Sequence, residues 1–156
     1  MAIGVLLSQR GHNIGKNMNN QYRCKHFIIQ ELVPPQVYEA RGYKAWELID
    51  VRLLMTLDRL RNRFGSMKIN DWKWGGNREW SGLRTPNSPY YSPYSQHTFG
   101  RAADILFADI TAEEVRQEIL ADPDNSSFDL IYSMELATSW LHIDVRNATR
   151  IKTFKP

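Results

Sequence analysis

The residues of this chain best suited to chemistry are two histidines and an aspartate: His97, Asp104 and His142. His97 and Asp104 lie on either side of Gly100 in the stretch 95–104, and His142 sits in the centre of the run Trp140-Leu141-His142-Ile143-Asp144. Imidazole nitrogens and a carboxylate oxygen are normal donors to zinc, and three of them leave a fourth position for water. That is the donor set of a metal-dependent hydrolase. Taken singly, each residue has a plainer reading. A histidine on a strand is ordinarily a hydrogen-bonded structural group, and an aspartate seven positions after a histidine carries little information.

The elements around these residues decide whether they can meet. Over 140–146 the alternation puts Leu141, Ile143 and Val145 on one face, towards a core. Trp140, His142, Asp144 and Arg146 fall on the other. A face carrying an imidazole, a carboxylate and a guanidinium in a row is costly to bury unless its groups are paired or bound to metal. The stretch 102–107 reads as a buried strand with Ala102, Asp104 and Leu106 on one face, where the small Ala102 and Ala103 leave room around Asp104. Gly100 permits a turn that folds His97 back towards Asp104. If the two strands are neighbours, all three donors converge.

The rest of the chain supplies the scaffold. After the break at Pro34-Pro35, apolar residues at helical spacing (Trp46, Ile49, Leu53, Leu57, Leu60, Phe64) predict a helix over about 43–64, closed by Gly65. A short strand is expected over 67–72. A capping box, Thr111-Ala112-Glu113-Glu114, opens a helix to about residue 121, and Asp122-Pro123 stops it. Further strands are expected over 128–132 and 140–145. Helix, strands, helix, strands is the order of an α+β fold. Residues 73–94, with Gly75-Gly76, three prolines and three tyrosines, form a long irregular segment. It reads as a substrate-facing loop or a structural Ω-loop. Trp72, Trp74 and Trp80 are suited to packing, or to stacking on sugar or peptide.

At 156 residues the chain fits one domain with a real core. The expected organisation is a loosely packed lead-in over 1–24, a domain over 25–150 and a C-terminal tail over 151–156. The net charge of +3 and pI near 9.1 suit an anionic surface such as a bacterial wall, but lysine and arginine are scattered and no nucleic-acid-binding motif is present. Nucleic acid is therefore not an expected partner. Cys24 is the sole cysteine, which rules out an internal disulfide. No segment is long enough to span a membrane. The short apolar run at residues 2–7 has no cationic region before it, so the chain is expected to be made in the cytoplasm without a signal peptide.

Two blocks carry a family resemblance. Ser95 to Asp104 fits Ser-x-His-x-x-Gly-x-Ala-x-Asp, and Trp140 to Asp144 fits Trp-x-His-x-Asp. Together they resemble the zinc D-Ala-D-Ala carboxypeptidase and L-alanyl-D-glutamate endopeptidase family of murein peptidases. Ser81-Gly82-Leu83-Arg84-Thr85 is similar to that family's Ser-Gly-Tyr-Arg-Ser block, with Leu83 in place of tyrosine. The resemblance runs from about residue 25 to 146 and is strongest with the phage and prophage endolysin-like branch. It implies a single small domain shared with the hedgehog signalling domains, an antiparallel sheet with flanking helices. It implies Zn2+ as cofactor with His97, Asp104 and His142 as ligands, and hydrolysis of peptidoglycan stem peptides, in carboxypeptidase or endopeptidase mode, by a monomer acting on the wall after release.

By the same resemblance Arg84 anchors a substrate carboxylate, which a guanidinium can grip with two parallel hydrogen bonds. Ser95 falls at a position beside the metal, where it either bonds substrate or shapes the turn. Many relatives carry an acidic residue three positions before the last zinc histidine, where this chain has Ser139. A hydroxyl is no equivalent base, so the expected general base is Glu135, brought over the metal by a hairpin through 136–139. Asp144 is the second choice as base, or orients His142, or is a structural carboxylate. The departure at Ser139 keeps open an alternative: a non-catalytic zinc module of the same fold that binds the wall or forms part of a virion.

Overall fold

The computed structural model describes residues 22–148 and 151–156. The lead-in expected over 1–24 thus lies outside them save for its last three residues, of which Tyr22 and Cys24 pack against the core while Arg23 is exposed. Tyr22 Oη and Cys24 Sγ both donate to Asp58, as do the backbone N–H groups of Lys25 and His26.

The described residues form an α+β domain of three α-helices, α1 (Pro35–Arg41), α2 (Val51–Phe64) and α3 (Ala112–Ala121), and five strands. The strands are β1 (Met67–Lys68), β2 (Ala102–Phe107), β3 (Ser133–Glu135), β4 (Leu141–Asp144) and β5 (Lys152–Phe154). They form one sheet in the order β1-β2-β4-β3-β5, antiparallel except where β5 joins β3 in parallel. No helix among the described residues is long and apolar enough to cross a membrane.

The strand at 102–107 and the helix after Thr111 stand where the patterning predicts. Thr111 and Glu114 exchange their capping hydrogen bonds in both directions. Elsewhere the structure differs. The single helix expected over 43–64 is two elements: a 3-10 helix at Gly42–Leu48 and then α2. The break has a cause far away in sequence. The Asp50 N–H leaves the helical ladder to bond the carbonyl of Gly100 at 2.9 Å, and the Asp50 side chain caps α2 through the Arg52 N–H. The strand expected over 67–72 ends at Lys68, because buried Asn70 turns the chain: its N–H bonds Glu31, its side chain Val33 and Ser81. The strand expected over 128–132 is a turn held by Asn125, whose carbonyl accepts from Phe128 and Asp129. Phe128 and Ile131 are still buried, delivered to the core from that turn. The tail expected at 151–156 supplies β5.

One face of the sheet packs into the core. Ala103, Ile105, Met134, Leu141, Ile143 and Val145 join Leu53, Leu57 and Leu60 of α2 and Val115 and Ile119 of α3 in one apolar cluster. Burying each large aliphatic side chain is worth about 1.5–3 kcal/mol. The opposite face carries the polar residues of β2, β3 and β4.

Candidate metal centre

Register builds the centre. In the antiparallel pairing of β2 with β4, Asp104 lies directly opposite His142, and Ala102 opposite Asp144. Directly opposed residues share a face with Cβ atoms about 4.5–5.5 Å apart. β3 pairs with the other edge of β4, Ser133 opposite Asp144 and Met134 opposite Ile143. Continued by one residue, that register sets Glu135 beside His142. Asp104, His142 and Glu135 therefore come from three adjacent strands on one row of the sheet.

His97 reaches them from the irregular segment that covers this face. Its turn is closed by Gly100, at φ +66°, whose N–H bonds the His97 carbonyl. The segment is tied down by the Arg84 N–H on the His97 carbonyl and the Asp104 N–H on Ser81. His97 Nδ1 lies 2.8 Å from the carbonyl of Gly82. A carbonyl only accepts, so Nδ1 carries the proton and Nε2 presents its lone pair.

His97 Nε2 stands 3.2 Å from His142 Nδ1 and 3.3 Å from Asp104 Oδ1, and the last two atoms are 2.8 Å apart. A tetrahedral centre with bonds of about 2.0–2.1 Å sets its ligands about 3.3 Å apart. The three donors are buried, at 2%, 8% and 7% exposure for His97, Asp104 and His142. The group can hold a metal ion.

The electrostatics of His97 and Asp104 suit ligands, whereas His142 must give up a proton to a bound metal. Burial lowers the pKa of His97 and keeps it neutral, as a ligand must be. Burial works against the charge on Asp104, but hydrogen bonds with His142 and His97 outweigh it and hold the carboxyl well below its ordinary range. Burial likewise opposes charge on His142, yet its bonds with Asp104 and Asp144 prevail and raise it to about 9.

The remaining expected residues fall around the group. Arg84 donates from Nη2 to Asp104 Oδ2 at 2.6 Å and from Nε to the Trp80 carbonyl, with Tyr90 against its guanidinium. Burial lowers its pKa, while Asp104 and Glu135 support its charge. Ser95 accepts from the His97 N–H at 3.3 Å, shaping the turn. Arg84, Ser95 and Glu135 all line a cavity of about 630 Å³ over the three donors, together with Tyr90, Tyr94, Trp140 and Arg146. Asp144 is fully buried, 3.6 Å from His142 Nε2 and clasped by Arg146. That geometry suits orienting His142 rather than meeting a substrate. Ser139 lines a different, shallow depression with residues of 106–114.

Three further groups shape the site without a signature in the sequence pattern that would assign them there. Arg116, at 2% exposure, donates to the carbonyls of Thr138 and Trp140 and so fixes the turn before β4. Arg78 bonds the Ile69 and Asp104 carbonyls. Phe154 of β5 sets its ring edge-on to His142 with centroids 5.6 Å apart. Each depends on a long-range contact; only the odd burial cost of an arginine within the apolar pattern of α3 hints at one of them. No protein-family model, curated protein or solved structure matches this chain.

Proposed function

We propose that this chain is a zinc metallopeptidase of the D-Ala-D-Ala carboxypeptidase and L-alanyl-D-glutamate endopeptidase kind, with the hedgehog-like fold of that family, cutting peptidoglycan stem peptides. The observation that carries the reading is the convergence of His97, Asp104 and His142 beneath a cavity that Glu135 and Arg84 also line. The donor set suits zinc, which in such a site supplies a Lewis acid that polarises a carbonyl and acidifies a water. Arg84 holds a carboxylate of the peptide. Glu135 takes the proton of the attacking water and returns it to the leaving nitrogen. Asp144 keeps the His142 ring turned so that Nδ1 faces the centre.

The test is release of new amino groups from purified peptidoglycan. The zinc-loaded protein should release them, and a chelator or His142→Ala should abolish release. Glu135→Gln should keep its zinc and lose about 10²–10⁴-fold in rate. Chelator-insensitive activity sinks the zinc mechanism. Wall binding without release, by a protein with full zinc content, points instead to a non-catalytic wall-binding or virion module.

A further inference from the structure

Arg146 is a charged group of the cavity that the peptidase mechanism leaves unused, as it does Glu79 and Arg78. It stands on the polar face of the β4 run, two residues past Asp144, and is held in place. Its Nε donates to Asp144 Oδ1 at 2.8 Å, its Nη2 to Oδ2, and its backbone N–H to Oδ1. Asp144 is fully buried, whereas the Arg146 side chain is 37% exposed and lines the cavity.

A guanidinium has two edges that grip a carboxylate with parallel bonds. Asp144 occupies the edge formed by Nε and Nη2. The edge formed by Nη1 and the second Nη2 hydrogen has no partner among the described residues. With 37% of its side chain exposed, Arg146 keeps hydrogen-bond donors beyond those that Asp144 uses.

The position relative to Arg84 follows from an unbroken chain of contacts. Arg84 bonds Asp104, Asp104 bonds His142 Nδ1, His142 Nε2 faces Asp144, and Asp144 bonds Arg146. The two guanidiniums end this chain, one beyond Asp104 and the other beyond the opposite nitrogen of His142. Both open on the same cavity.

We infer that Arg146 is a second carboxylate anchor, so that the site takes peptides bearing two carboxylates, one gripped by Arg84 and one by Arg146. This rests on the peptidase reading and narrows its substrate class to stem peptides with an acidic residue in addition to a free terminus. Because Asp144 fixes the fork in advance, little side-chain freedom is lost on binding.

The test is a binding cycle by calorimetry. Two synthetic tetrapeptides, L-Ala-D-Glu-L-Lys-D-Ala with the glutamate carboxylate free or amidated, are titrated into the zinc-loaded Glu135→Gln protein, which does not consume them. Amidation should weaken binding roughly tenfold or more when Arg146 is present. It should cost less than twofold after Arg146→Gln. Arg146→Lys keeps a charge against Asp144 and guards against misfolding; lacking the fork, it should also lose most of the discrimination. An equal amidation cost with and without Arg146, no cost in any protein, or no binding of either peptide overturns the anchor. Cleavage of the free-acid peptide by the zinc-loaded wild-type chain is read separately. If it fails while the binding cycle holds, the L-alanyl-D-glutamate mode falls and the carboxylate site stands; the peptidase reading as a whole is decided by amino-group release from peptidoglycan.

Discussion

His97 shows how a single backbone carbonyl prepares a side chain for metal. By accepting from Nδ1, Gly82 fixes the tautomer that aims a lone pair at Asp104 and His142. A comparable economy holds at Asp58, away from the site. Burial works to raise its pKa, but donors from Lys25, Tyr22, Cys24 and His26 outweigh it and hold the carboxyl below its usual range. Burial, and after it the Asp58 carboxylate, push the Tyr22 hydroxyl and the Cys24 thiol up to about 12, so both stay protonated donors near neutral pH. A carboxyl whose folded pKa lies below its unfolded value stabilises the fold above the unfolded value of about 3.9. That stabilisation disappears as pH falls through the lower, folded value. Asp58→Asn should cost roughly 1–3 kcal/mol at pH 7 and much less at pH 2, measured by urea unfolding at the two pH values. An equal cost at both assigns the effect to packing instead of charge.

At the scale of elements, the turn that carries His97 is pinned to the end of the Gly42–Leu48 3-10 helix. Gly100 has φ +66°, and a Cβ there would lie 1.9 Å from the Leu48 carbonyl oxygen. Gly65, at φ +80°, has open space around it. Gly100→Ala should therefore destabilise by about 2–4 kcal/mol and lower metal affinity, while Gly65→Ala should cost about 1–2 kcal/mol and leave metal affinity alone. Thermal melting and metal titration of both variants check this; equal effects on metal affinity remove the proposed link between the turn and the centre. This contact also marks what could be read from the sequence. The faces of β2 and β4 were legible, because a period of two leaves Asp104, His142 and Asp144 together opposite Ala103, Ile143 and Val145. The Thr111 box was legible because it is local. The helix break at Asp50 was not, since its cause is a carbonyl fifty positions away in Gly100. Phe128 and Ile131 look like strand residues because burial in a turn and burial in a strand demand the same side chains. β5 escaped because all three of its residues are exposed and its strand character comes only from pairing with β3.

For the molecule as a whole, a metal at the candidate centre would couple binding to folding, because the three donors are distant in sequence. Held by His97, Asp104 and His142, it would join the covering segment to β2 and β4 and favour the folded chain. At zinc a hundredfold above its dissociation constant, the stabilisation is about 2.7 kcal/mol, or about 5–10 °C in melting temperature for a chain of this size. Scanning calorimetry with zinc, with chelator and on His97→Ala should show the gain, its reversal and its absence in the variant. A melting temperature indifferent to zinc in the wild-type chain removes the centre. The pairing of Asp104 opposite His142 also sets what length changes the chain can tolerate. Residues 108–111 and 122–127 connect elements on the surface, and inserting there leaves the row of donors untouched. Within β4 the outcome depends on parity. One added residue before His142 turns its imidazole into the apolar cluster and brings a neighbour's side chain to the cavity, whereas two added residues restore the face while shifting the partner. The row of donors is thus indifferent to the length of these two connections and sensitive to whether a strand is odd or even.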